Sequence, residues 1–164
     1  AAAQVCGRHR EAFFVLVGDG ELRDELVRRA DKLGLRDRVR FTGWRDDVGA
    51  LLAAFDLFVL PSLNEGMGKV LVEAMALGVP VIGTRVGGVP SVVEHGRSGW
   101  IVPACDVDAL ADGVSILIER RDLRERFRAA GLARARRFSV EAMVAAIDAL
   151  YQNELRIAGC VNPD

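Results

Sequence analysis

Pro61-Ser62-Leu63-Asn64-Glu65-Gly66-Met67-Gly68-Lys69-Val70-Leu71-Val72-Glu73-Ala74-Met75-Ala76 is the stretch on which fold and function turn. Glu65 and Glu73 have seven residues between them. Glu65 falls in a turn-rich loop with Gly66 and Gly68. Glu73 falls in a run that predicts a helix from about Gly68 to Leu77, ended by Gly78 and Pro80. From Val70 to Val79 every residue but Glu73 is apolar or glycine. A helix apolar all round is buried, and a buried carboxylate needs a partner. The pattern therefore predicts a buried Glu73 held by a ligand, with a sugar or ribose hydroxyl pair as the fitting chemistry. The free amides at the start of the same helix suit a phosphate. The plainer reading is a helix pair between Lys69 and Glu73, four apart. That order is the weaker one and contributes only ~0.3 kcal/mol, too little to account for burying a carboxylate.

Outward from this stretch, short apolar runs alternate with helical patterns. Strands are predicted at Phe13–Val17, Val39–Phe41, Leu57–Leu60, Val81–Gly83 and Trp100–Val102. Helices are predicted at Glu21–Leu33, Val48–Ala54, Val107–Glu119, Leu123–Arg137 and Val140–Arg156, the last capped by Ser139, with a short turn near Ser91–Glu94. In Glu21–Leu33 the residues Leu22, Leu26, Val27, Ala30 and Leu33 share one face. The tail from Gly159 reads as disordered. Strands alternating with helices predict an α/β, Rossmann-like, doubly wound parallel sheet. Ligands of such sheets bind outside the carboxyl ends of the strands. Four loops are expected there: Gly18–Gly20, Thr42–Asp47, Ser62–Gly68 and Gly87–Gly88.

Composition narrows the field. The chain has 164 residues and a net charge of −1, so length suits one domain and no global field points to nucleic acid. Half the residues are hydrophobic, yet no apolar run approaches the ~20 residues of a membrane span. No signal peptide is read at Ala1–Ala3. Cys6, Cys105 and Cys160 have neither metal spacing nor a disulfide framework, which suits a reducing cytosol. Gly18-Asp19-Gly20 fails as a dinucleotide fingerprint because the third glycine falls at Arg23. There is no Gly-Lys-Ser/Thr, and Ser62 and Ser91 have no histidine in motif. His9 and His95 are read as loop or surface residues, Trp44 and Trp100 as packing residues. The eight arginines of Arg120–Arg137 face only Asp122 and Glu125. They are read as a solvated helical face in preference to an anionic-lipid contact.

From Phe13 to Phe138 the chain resembles the C-terminal, nucleotide-sugar-binding domain of family 4 retaining glycosyltransferases, which have the GT-B fold. The matching pieces are Val17-Gly18-Asp19-Gly20, Val39-Arg40-Phe41-Thr42-Gly43, Asp56 to Ser62, Glu65 to Glu73 with Glu-Ala-Met-Ala, Gly78-Val79-Pro80-Val81, Gly87-Gly88-Val89-Pro90, and Gly96 to Pro103. The resemblance implies a hexose-type sugar moved from a nucleoside diphosphate with retention, the leaving phosphate serving as base. Glu65 would lie at the reacting centre. The amides of Gly66, Met67 and Gly68, with Lys69, would hold the sugar or its diphosphate, and Glu73 would accept from the ribose hydroxyls. The backbone near Arg45 would meet the base, with Gly18 beside it. No cofactor and no obligatory metal are expected. The other implied partner is an N-terminal acceptor domain. The expected place is the cytoplasm, with peripheral contact to the inner face of a membrane as a further expectation.

Two departures from the family pattern stand out. Ser91 replaces an acid often found after Gly-Gly-x-Pro. Ala1–Arg10 matches a helix that in the family follows a strand bearing an Arg and a Lys, so the first central strand and those cations are expected to be missing. The strands at Phe13–Val17 and Leu57–Leu60 should then lack a shared neighbour. Such a piece is expected to be inactive alone. Two other classes fit less well: a nonenzymatic nucleotide-binding module, and a nucleotide-sugar epimerase of similar fold. The Glu-Ala-Met-Ala helix and its spacing favour the transferase.

Overall fold

The computed structural model describes residues 1–157, so the expected disorder from Gly159 lies outside the described residues. The chain begins with α1 (Ala2–Arg8) and β1 (Phe14–Val17), then α2 (Arg23–Lys32), β2 (Val39–Gly43) and α3 (Val48–Ala53). The second half runs β3 (Phe58–Leu60), α4 (Lys69–Ala76), β4 (Val81–Thr84), α5 (Val89–Val92) and β5 (Trp100–Val102). It closes with α6 (Val107–Glu119), α7 (Arg121–Ala135), a single 3-10 turn and α8 (Val140–Ile157).

All strand pairings are parallel, as the alternation of strands and helices predicts. They form two sheets, β1-β2 and β3-β4-β5. β1 and β3 are not paired with each other, and each leaves one edge open among the described residues. This is the break expected from the resemblance. β4 is the centre of the larger sheet and is buried throughout. Its side chains alternate between faces. Val81 joins Leu71, Ala74 and Met75 of α4 and Val89 and Val92 of α5. Ile82 joins Ala111, Val114 and Leu117 of α6, Leu123 and Phe127 of α7, and Val5 of α1. One strand thus carries two cores, and the sheet is covered on both sides.

The β1-β2 unit is tied to this body through α1 and Phe14, which packs against the Ile82 core. α1 lies along α6 with Val5 fully buried. Beside it Gln4 donates to Asp108 at 2.8 Å and Arg8 pairs with Asp112 at 2.5 Å. The apolar face read over α2 and its two flanking leucines is only partly covered: Val27 and Ala30 are half-buried, whereas Leu22, Leu26 and Leu33 are exposed. Periodicity reports which residues share a face and not whether a neighbour covers it. α8 repeats the point, with Val140, Met143, Ile147, Leu150 and Tyr151 all exposed among the described residues.

Helix ends follow local chemistry. Asp106 accepts from the Ala109 amide at 2.8 Å and caps α6. Asp106→Ala is expected to cost about 1 kcal/mol, read as a lower denaturation midpoint at unchanged slope. Ser139 accepts from the Ala142 amide at 3.2 Å, the cap expected for α8. α7 begins two residues earlier than predicted because one non-helical residue, Arg120, separates it from α6. No glycine or proline marks that break.

Candidate functional site

β3 delivers the chain to the loop Pro61–Gly68 at its carboxyl end. The loop is fastened from two sides. The Thr84 hydroxyl, at the end of β4, donates to the Ser62 carbonyl at 2.5 Å. The Gly88 amide donates to the Gly66 carbonyl at 2.7 Å and approaches that of Glu65 at 3.3 Å. The Ser62 hydroxyl donates to Glu65 Oε2 at 3.1 Å, which orients the half-buried carboxylate. Gly87 has φ +45°, and a Cβ there would overlap the Glu65 carbonyl oxygen. A side chain at Gly88 would overlap the Gly66 carbonyl oxygen. These two glycines let the backbone of one loop lie directly on the other.

Gly68 then takes a left-handed conformation, φ +74° and ψ +51°, and turns the chain into α4. No side chain caps this helix, so its first amides face the loop. Lys69, the first residue of α4, and Glu73 one turn on line an open groove of about 560 Å³ with Met67, Val72 and Ala76. Its far wall is the end of α7 and the start of α8: Leu132, Ala135, Arg136, Phe138 and Ser139.

Glu73 corrects the sequence reading. It is exposed, not buried. α4 buries only Leu71, Ala74 and Met75, and the side carrying Val72, Glu73 and Ala76 is the groove wall. A helix that is apolar all round is here covered on one side and lines a groove on the other. Neither Lys69 nor Glu73 takes part in an ion pair among the described residues, so the plain helix pair is not formed.

The four loops expected on one rim form two pairs. Gly18 and Gly43 meet at the end of the β1-β2 sheet, where the Gly18 amide donates to the Gly43 carbonyl at 2.9 Å. Arg45 follows and grips Asp47 through two bonds of 2.7 and 2.6 Å. That pairing raises the Arg45 pKa and lowers that of Asp47. Ser62–Gly68 and Gly87–Gly88 form the second pair. No hydrogen bond or ion pair joins Gly18 or Arg45 to Glu65 or Glu73 among the described residues.

The other signals settle into structure. Trp100 packs on His95 and Phe127, and His95 Nδ1 accepts from the Ile101 amide at 2.9 Å. Trp44 is exposed and its indole donates to Asp46 at 3.1 Å. Ser91, in place of an acid, donates to the Gly88 carbonyl at 2.7 Å and closes the α5 turn. The arginine run is not uniformly solvated. Arg124 donates to the Leu117 and Ile118 carbonyls at the end of α6, and Arg134 is largely buried against α5. The sequence shows a basic stretch there and gives no sign of these contacts, 42 residues away along the chain for Arg134 and Val92. Among the described residues no group of His, Cys, Asp or Glu is arranged to hold a metal ion, and no helix is long and apolar enough to cross a membrane.

Parallel strands alternating with helices, with the Pro61–Gly68 loop at the carboxyl end of β3 and an open groove along α4, define an α/β protein of the ligand-binding class. The chain belongs to the glycosyl transferases group 1 family, whose model matches residues 1–134. It is 39% identical over 150 residues to the N-acetyl-alpha-D-glucosaminyl L-malate synthase of Bacillus anthracis, covering 89% of this chain and 39% of that protein. It is 37% identical over 141 residues to the phosphatidyl-myo-inositol mannosyltransferase of Mycobacterium leprae, covering 84% of this chain and 37% of that protein. Among solved structures, Anabaena Alr3699/HepE in complex with UDP superposes with a TM-score of 0.84 at 31% identity, covering 93% of this chain and 44% of that one. The same Anabaena protein has also been solved with UDP-glucose. The fold is therefore that of GT-B glycosyltransferases. The chain spans about two fifths of the length of the curated relatives it matches.

Proposed function

We propose that this chain is the donor-binding part of a retaining glycosyltransferase that moves a hexose-type sugar from a nucleoside diphosphate sugar. The observation that carries this reading is the groove along α4, where Met67, Lys69 at the uncapped start of the helix and Glu73 one turn further on stand together. In this reading the α4 amides and the Lys69 ammonium hold the diphosphate. Glu73 accepts hydrogen bonds from the two ribose hydroxyls. Its exposure suits this role, since an open carboxylate is free to receive a ligand without first losing a protein partner. Glu65, oriented by Ser62, faces the anomeric centre and stabilises positive charge developing there. Gly18 and the backbone near Arg45 meet the base.

No metal is required in this scheme, because amides and a lysine neutralise the phosphates. The Anabaena complexes with UDP and UDP-glucose make UDP-sugars the first donors to try. The acceptor site belongs to the remaining three fifths of the longer polypeptide that the relatives represent. Peripheral contact with the inner face of a membrane is part of the same proposal, for relatives such as the mannosyltransferase are named for a lipid acceptor.

The test is a thermal-shift panel of UDP, GDP and ADP with and without sugars. A ligand at a hundred times its Kd adds about 2.7 kcal/mol, or roughly 5–10 °C for a chain of this size. One nucleotide should give that shift, and Glu73→Gln should weaken its binding at least about tenfold by removing the charged acceptor. A shift of equal size in Glu73→Gln would remove the ribose from Glu73.

A further inference from the structure

Arg134 is the arginine of the basic run whose guanidinium is most fully engaged with the site's supporting loop. Its side chain is 15% exposed. Nε donates to the Val92 carbonyl at 3.0 Å, Nη2 to the Ser91 carbonyl at 2.5 Å, and Nη1 pairs with Glu94 Oε1 at 2.9 Å. The guanidinium carbon lies 5.4 Å from the centre of the Phe138 ring. Two of these acceptors are the last carbonyls of α5, a helix of only four residues. At the other end of α5, the Gly88 amide holds the Gly66 carbonyl. One short rigid turn therefore has Arg134 clamped to its end and the Glu65–Gly66 backbone attached to its start.

We propose that Arg134 is a positioning residue for the Glu65–Met67 loop. Its planar fork fixes α5, and α5 fixes the loop through the Gly88–Gly66 bond. A lysine has the charge but not the fork, so it replaces the pair with Glu94 and not the two carbonyl bonds. The cation over Phe138 ties the same clamp to the groove's far wall. The consequence for donor binding rests on the reading of Glu65 and the α4 amides given above; the mechanical coupling does not.

The test separates the two. Amide exchange is followed by NMR in the 164-residue chain, in Arg134→Gln, Arg134→Lys and the control Arg97→Gln. Arg97 holds the other oxygen of Glu94, at 2.9 Å, and touches neither carbonyl. Arg134→Gln should speed exchange at Gly88 at least about tenfold while the β4 amides hold their protection. Arg134→Lys should fall between, and Arg97→Gln should match the parent. Unchanged exchange at Gly88 in Arg134→Gln overturns the proposal. So does an equal loss across Gly88 and β4, which would mark a general structural role. If Arg134→Gln does not fold, the lysine variant carries the same comparison. In a parallel titration, Arg134→Gln should weaken UDP-glucose binding more than UDP binding, because Glu65 faces the sugar. A parent chain that binds neither ligand would remove the donor-site reading and leave the exchange result to decide the role of Arg134.

Discussion

Gly87→Ala is expected to be among the most damaging single substitutions in the chain. Two effects combine there. The φ of +45° is left-handed, which disfavours any Cβ, and the new methyl would occupy the space of the Glu65 carbonyl oxygen. The strain alone is about 1–2 kcal/mol, and relieving the overlap requires the two loops to part, with loss of the Gly88–Gly66 bond. A total of about 3 kcal/mol corresponds to a fall of roughly 6–12 °C in melting temperature. Gly96→Ala is the matched control. It shares the left-handed backbone, φ +74°, but has open space around it. It should show the strain term only, about 1–2 kcal/mol. Equal losses in the two variants would mean that the loop-on-loop contact contributes nothing. Because the Gly87 change lands on the Glu65 loop, nucleotide affinity should fall with it, whereas Gly96→Ala should leave affinity intact.

Phe127→Ala is expected to cost about 3–5 kcal/mol. Phe127 is fully buried on α7 and stacks at a tilt on Trp100, with ring centres 6.3 Å apart. It stands in the core that joins Ile82 of β4 to Val5, Val114 and Leu117, so its loss opens a cavity between sheet and helices. Denaturant unfolding should show a lower midpoint at unchanged slope. The contrast is Leu22→Ala, at the residue just before α2. Leu22 is 62% exposed, and its truncation should change stability by less than about 0.5 kcal/mol. A cost for Leu22→Ala near that of Phe127→Ala would show that the α2 face is covered in solution.

That contrast also marks what the sequence can and cannot report. Trp100–Val102 and Val107–Glu119 match the observed strand and helix because β-branched runs, Asp106 and a clear 3.6 period signal them locally. Leu22, Leu26 and Leu33 are read with equal clarity, yet their face is open, because covering a helix depends on other elements. The sequence starts α7 two residues late, at Leu123, since Arg120 alone breaks the helix by its conformation. For Glu73 the sequence predicts the right helix and the wrong exposure. The apolar run around it hid the fact that small residues and the far wall formed by Leu132 and Phe138 leave a groove. The placement of Glu65, Gly66, Met67, Gly68 and Lys69 in a loop that enters a helix is legible, because turn glycines followed by a helix start form a local pattern. Thr84 and Arg134, which hold that loop in place, are not, because their partners are distant in the chain.

The family and the fold stand on the match to glycosyl transferases group 1 and on the Anabaena superposition. The proposed donor site stands on a narrower claim, that this chain's own Gly66–Glu73 segment receives the nucleotide. Adding UDP to the isotope-labelled chain and following the backbone amides by NMR tests it directly. The proposal predicts that the largest changes fall on Gly66, Met67, Gly68 and Lys69, that they saturate, and that Glu73→Gln abolishes or strongly weakens them at the same nucleotide concentration. Changes confined to the Gly18–Arg45 rim, or identical changes in Glu73→Gln, would contradict it.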